Sequence, residues 1–149
     1  MHLSRLCRFA FLLLVIPGCS LTDYGYMREG EPHALQIVQF VGWQWKPEEL
    51  ISEADPRMLK ALPESEIAKM MSECSAELGI LDEVDPVAGQ VTRSTEIPDR
   101  SALYTFNVKG RKGKSAVVQI RLQKQDESWK VLGFWVQIKT ANTQQSSHP

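Results

Sequence analysis

Between Leu35 and Leu78 the apolar residues of this chain recur every three or four positions, and beyond Val87 they recur at every second one. The first spacing keeps one face of a helix apolar, the second one face of a strand. Leu35, Val38, Val41 and Trp45 predict a first helix, with Pro32 suited to its first position. Ile37 to Val41 taken alone would also serve as a strand. Pro47 suits the start of a short second helix reaching Glu53. Asp55-Pro56 reads as the cap and first position of a third, reaching Leu62. Pro63 opens the clearest helix. Ile67, Met70, Met71, Cys74 and Leu78 share one of its faces, Glu64, Glu66, Lys69, Glu73 and Glu77 lie elsewhere, and Gly79 stands as its stop.

The period changes after Asp82 to Pro86, a turn-rich stretch. Val87 to Ile97 is the weakest of the expected strands. Leu103 to Lys109 and Ser115 to Lys124 flank the basic turn Gly110-Arg-Lys-Gly113 and predict a hairpin, and Trp129 to Lys139 follows the turn Gln125 to Ser128. The fold class is therefore α+β, with N-terminal helices packed on a curved antiparallel sheet of about four strands. Residues 33–139 form the single domain. Residues 19–32, polar and with two glycines, read as a tether, and Thr140 to Pro149 as a disordered polar tail.

Strand parity separates the sheet faces. Ala116, Val118, Ile120 and Leu122 make one apolar face opposite Val117, Gln119, Arg121 and Gln123. In the last strand both faces are apolar: Leu132, Phe134, Val136 and Ile138 on one, Trp129, Val131, Gly133 and Trp135 on the other. If one face meets the helices, the other exposes two tryptophans beside Arg121, the residue types in which binding hot spots are enriched. Trp129, Val131, Trp135 and Arg121 are thus the partner-binding candidates. A sheet that wraps a helix and buries both faces is the competing expectation, and Trp43 and Trp45 carry the same ambiguity.

The chain opens differently. Arg5 and Arg8 precede the apolar run Phe9 to Ile16, which ends at Pro17-Gly18-Cys19-Ser20. This run is too short for a bilayer, which needs about twenty residues, and it has the form of a secretory signal peptide over residues 1–18. The junction resembles the lipobox of bacterial lipoproteins, although Pro17 stands where a small or β-branched residue is usual. The resemblance implies lipid on the Cys19 thiol, an acylated amino terminus, and, with Ser20 instead of Asp next in line, the periplasmic face of the outer membrane. Two or more acyl chains make such attachment effectively permanent. Cys7 would leave with the signal, so Cys74 remains the sole thiol of the fold and no internal disulfide forms. Its apolar neighbours Met70, Met71 and Leu78 predict a buried, inert sulfur.

Charge divides the mature chain. Residues 19–99 carry 6 basic against 16 acidic side chains, and residues 100–149 carry 9 against 2. The helical part is acidic and the strand part basic, an asymmetry that marks an interaction surface or lets the two layers attract each other. The basic residues are scattered over strands and turns without a stripe, so no nucleic acid is expected. His33 is the one histidine near the domain, expected to be solvated at a helix start. No histidine triad, zinc site or phosphate loop can be assembled, and the acidic pairs Glu48-Glu49 and Asp82-Glu83 adjoin helix ends or turns. No catalytic residue, metal or cofactor is expected.

A run of helices ending in Leu78-Gly79, then strands closing on an acidic turn and Trp129-Lys130-Val131-x-Gly133-Phe134, resembles the small exported domains of the cystatin-like and nuclear-transport-factor-like class. That class includes enzymes, binding modules and secretion-machine subunits. The expectation is a lipid-anchored cell-envelope protein, a non-enzymatic binding or assembly module that uses its sheet face on an envelope partner. The alternatives are a small hydrolase or isomerase with a carboxylate in a cone-shaped pocket, and a homodimer paired through the sheet.

Overall fold

The computed structural model of the protein describes residues 21–92 and 100–139. The expected signal peptide, Cys19, the tail from Thr140 and the far end of the strand expected over Val87 to Ile97 lie outside the described residues. Four helices precede a four-stranded antiparallel sheet, the α+β order expected.

Helix α1, Leu21–Gln44, starts well before Pro32. The stretch expected as a tether is therefore helical from Leu21, and Pro32 and His33 lie inside the helix instead of opening it. Tyr26, Gly30, Ala34, Ile37, Val38 and Val41 form its buried stripe, a helical period that two small residues conceal. Gly30 is small because it must be: a Cβ there would sit 2.9 Å from the Trp129 ring. The Tyr26 hydroxyl donates to the Arg100 carbonyl at 2.7 Å and accepts the Lys124 N–H at 2.9 Å, which ties the first turns of α1 to the sheet. Pro32 cannot donate to the Arg28 carbonyl, but both residues are exposed, so solvent replaces the lost bond.

Helices α2 (Pro47–Glu53), α3 (Pro56–Ala61) and α4 (Glu64–Leu78) begin where their prolines predict. Asp55 caps α3 by accepting the Arg57 N–H, and Gly79 ends α4 at φ 66°. Trp45, at φ 53°, follows α1, and its indole Nε1 donates to the Gly79 carbonyl at 2.7 Å, so the ends of α1 and α4 are fastened together. Trp45 is buried and Trp43 exposed, which resolves that ambiguity one residue each way.

Strands β1 (Leu81–Thr92), β2 (Ser101–Gly110), β3 (Ser115–Gln125) and β4 (Ser128–Ile138) pair in chain order. Asp82 to Pro86, expected as a turn, belongs to β1. Register shifts at Leu81/Glu83 and Pro86/Ala88 let this edge strand accommodate Pro86. The helices cover one face of the sheet, where Ala116, Val118, Ile120 and Leu122 are fully buried with Tyr104 and Phe106. Acidic helices meet basic strands through Glu29–Lys124, Glu77–Lys114 and Asp23–Arg100. These pairs lie at the solvent boundary, where each contributes little.

β4 contains the feature that decides the outer face. Arg121 pairs with Gly133 and Leu122 with Val131, so Leu132 is an extra residue in β4. A bulge of one residue reverses the alternation of everything beyond it. Trp129 and Val131 before it, and Phe134, Val136 and Ile138 after it, all lie toward the helices, while Trp135 projects from the opposite face.

Candidate outer-face binding site

The four candidates thus separate into two pairs. Trp129 and Val131 are core residues, 6% and 0% exposed, with Trp129 against the Tyr26 ring at 4.9 Å between centroids. Trp135 and Arg121 lie on the outer face, and Trp135 is 48% exposed. The expectation of one face holding both tryptophans fails because it carried strict alternation through residue 132. An available signal was Gly133, since an isolated glycine in a strand whose two faces are both apolar marks a bulge.

On the outer face Arg121 faces Leu103 and Gly133 across the ladders, and Gln119 faces Thr105 and Trp135. The Arg121 guanidinium carbon lies 5.8 Å from the centre of the Trp135 ring. Its Nε is removed from water and has no hydrogen-bond acceptor. Gln119 donates to the Thr105 hydroxyl at 3.3 Å, and Lys139 donates to the Asn107 side-chain oxygen at 3.2 Å. Leu103, Val117, Gln119, Arg121, Trp135 and Gln137 line a hollow of about 290 Å³. The charges that β3 and β4 direct to this face are Arg121 and Lys130, with Lys139 just beyond the strand end. A cation, an aromatic surface and two amides around a shallow hollow can hold a carboxylate beside an apolar group.

The rim of this face is fixed by a polar clasp. The Asp55 N–H donates to the Val131 carbonyl at 2.8 Å, bringing the α2–α3 junction against β4 at the bulge. The buried Asp55 carboxylate accepts from Arg57 Nε at 2.8 Å and from Gln125 Nε2, while Arg57 also donates to the buried Gln123. The Arg57 guanidinium holds the Asp55 carboxyl well below the usual carboxylate range, against the opposing effect of burial. Asp55 is the one buried carboxylate among the described residues. Its acidity is displaced away from that of a general acid, which needs a raised pKa.

His33 is exposed, as expected, and its ring lies 6.1 Å from that of Trp129 in a hollow of about 220 Å³ between α1 and α2, with Glu49 and Glu53 on the rim. Cys74 is buried and its thiol is pushed up to about 11, chiefly by burial. Among the described residues no three His, Cys, Asp or Glu gather as a metal site, and no helix is long and apolar enough to cross a membrane.

The fold and this face define a small α+β domain with an open antiparallel sheet, one face of which no helix among the described residues covers. No protein-family model and no curated protein matches the sequence. Among solved structures, Bd1075 of Bdellovibrio bacteriovorus is similar to it at 9% identity and a TM-score of 0.49, over 82% of this chain and 44% of that one. This chain therefore spans less than half of that protein's length.

Proposed function

We propose that this chain is a cell-envelope lipoprotein, held through lipid on Cys19 at the periplasmic face of the outer membrane, and that its domain is a binding module and not an enzyme. The binding surface is the outer sheet face at Arg121 and Trp135, and the partner is a protein segment that offers a carboxylate next to an apolar side chain. The observation that carries this is the Arg121 Nε, buried without an acceptor beside a half-exposed indole. A buried donor without an acceptor costs about 1–3 kcal/mol, and a partner's carboxylate would recover it. The junction at Cys19 and the absence of acid on this part of the face support the same reading.

The test places a photo-crosslinking side chain at Gln119, in the middle of the hollow, in the native cell. Mass spectrometry then identifies the trapped species and the N-terminal peptide. The expected result is one abundant protein adduct that disappears with Arg121→Glu, together with an acylated Cys19 peptide. An adduct indifferent to Arg121→Glu removes the assigned surface, and an unmodified N-terminal peptide removes the anchor.

A further inference from the structure

Of the large apolar side chains that stand exposed among the described residues, Tyr24, Phe40 and Trp43 are all on α1, and each is more than half exposed. They belong to one ridge. Tyr24, Arg28, Pro32, Gln36 and Phe40 follow one another at every fourth position, Gln39 and Trp43 adjoin the last of them, and all are exposed. At about 100° per residue this ridge lies opposite the buried stripe of Tyr26, Gly30, Ala34, Ile37 and Val41, so it points away from the sheet. The acids of α1 are kept off it. Asp23 pairs with Arg100 and Glu29 with Lys124, and Glu31 borders the hollow beside Pro86 and Val87 of β1. The one charged residue among the ridge positions is Arg28, whose guanidinium carbon lies 5.9 Å from the centre of the Tyr24 ring. Residues 19–99 carry 16 acidic against 6 basic side chains, so an acid-free ridge with an aromatic group near each end departs from the chain around it.

We propose that this ridge rests on a bilayer surface, with Tyr24, Phe40 and Trp43 at the boundary of headgroups and acyl chains and Arg28 on a lipid phosphate. This orientation presupposes the lipid on Cys19 proposed above, and it fixes which side of the domain faces the membrane. Cys19 precedes Leu21 by two positions, at most about 7 Å of chain, so an acyl anchor there brings the first turns of α1 to the lipid surface. Tyrosine and tryptophan are the side chains that collect at that interface, because their rings suit the acyl side and their polar tips the wet side. A guanidinium binds phosphate through charge-assisted hydrogen bonds, and an acid on the ridge would be repelled by anionic headgroups. From Tyr24 to Trp43 the helix rises about 28 Å at about 1.5 Å per residue, so contact at both ends lays α1 parallel to the membrane plane. The ridge orients and does not hold: a few exposed aromatic groups bind a membrane reversibly, whereas two or more acyl chains bind it permanently. The outer sheet face lies on the other side of the sheet from α1. It is thereby turned away from the bilayer, with Arg121 and Trp135 open to a partner.

The test uses the full chain, purified from the membranes of producing cells and placed in vesicles of phosphatidylethanolamine and phosphatidylglycerol. One fluorescent thiol label is carried at Gln36→Cys on the ridge or at Gln119→Cys on the outer face, while Cys74, being buried, stays unlabelled. The mass of the N-terminal peptide is recorded in the same samples. Quenching by nitroxide-bearing lipid is expected to be at least about fivefold stronger at Gln36→Cys than at Gln119→Cys, and quenching by a water-soluble nitroxide to show the reverse. Phe40→Ser with Trp43→Ser is expected to bring that contrast below about twofold while the chain stays on the vesicles, because the acyl chains still hold it. An acylated Cys19 peptide with equal lipid quenching at the two positions leaves the anchor standing and overturns the orientation. A Gln36→Cys label shielded from both quenchers would mean that a protein covers α1, and overturns it as well. A contrast that survives the double substitution shows that the aromatic ridge is not its cause, the third overturning result. An unacylated peptide removes the anchor, and the orientation with it.

Discussion

The six-membered ring of Trp135 lies directly over Gly133, two residues back along β4, so that a Cβ at Gly133 would stand 2.8 Å from two of its carbons. The glycine gives the indole a flat seat, and the seat holds the ring beside Arg121. Gly133→Ala is expected to push the ring away without unfolding the domain, because the far end of an exposed side chain moves easily. The thermal midpoint should change by the equivalent of less than about 1 kcal/mol. Tryptophan fluorescence should shift, and the Gln119 adduct should fall.

Arg121 sets stability against binding. Arg121→Leu removes a buried donor that has no acceptor while keeping the apolar stem, so denaturant unfolding should show a domain as stable as the parent or more stable by about 0.5–1 kcal/mol. Capture of the partner by the outer face should be abolished in the same variant.

The bulge at Leu132 gives the two tryptophans of β4 different fates. Trp129→Ala should cost about 3–5 kcal/mol, as an aromatic truncated in a core does, whereas Trp135→Ala should cost less than about 1 kcal/mol. Urea titration of the two variants would measure the contrast, and equal losses would mean that β4 alternates without a bulge.

Asp55 links stability to acid. Its folded carboxyl titrates well below the ordinary range because Arg57 binds the charged form, whereas the unfolded carboxyl titrates near about 3.9. The folded state thus binds fewer protons, and the contribution is complete above the unfolded value and lost as pH falls below it toward the folded one. Asp55→Asn should lower the thermal midpoint at neutral pH. It should also flatten the decline of that midpoint between about pH 5 and about pH 2.

Tyr26 tests the early start of α1. Its hydroxyl bonds two backbone groups 74 and 98 positions away. Tyr26→Phe should cost about 1–3 kcal/mol in denaturant unfolding, a loss that no residue in a flexible tether would produce.

Much of the fold was written in local chemistry. Pro47, Pro56 and Pro63 each mark a helix start because a residue without an N–H loses nothing there, and Gly79 marks a stop because its φ is positive. The errors have physical causes as well. The first turns of α1 were obscured because Gly30 and Ala34 occupy its buried stripe, and close approach of Tyr104 and Trp129 leaves room for nothing larger than glycine at position 30. Pro86 looked like a turn because nothing local distinguishes a turn from a protected edge. The outer face was half legible: Arg121 and Trp135 follow from parity on either side, but the extra residue between Val131 and Gly133 belongs to the pairing of two strands and has no local period.

α1 begins only two positions beyond Cys19 and runs for 24 residues, on the order of 36 Å at about 1.5 Å per residue. With lipid on Cys19, the domain would be a lever set directly into the bilayer surface, not a float on a leash. Anchored in that way, it would not sweep a hemisphere in search of a ligand. Encounters would then be confined to lateral diffusion, with partners that share its membrane or reach down to it, and a flexible spacer inserted ahead of Leu21 would convert that planar search into a volume search.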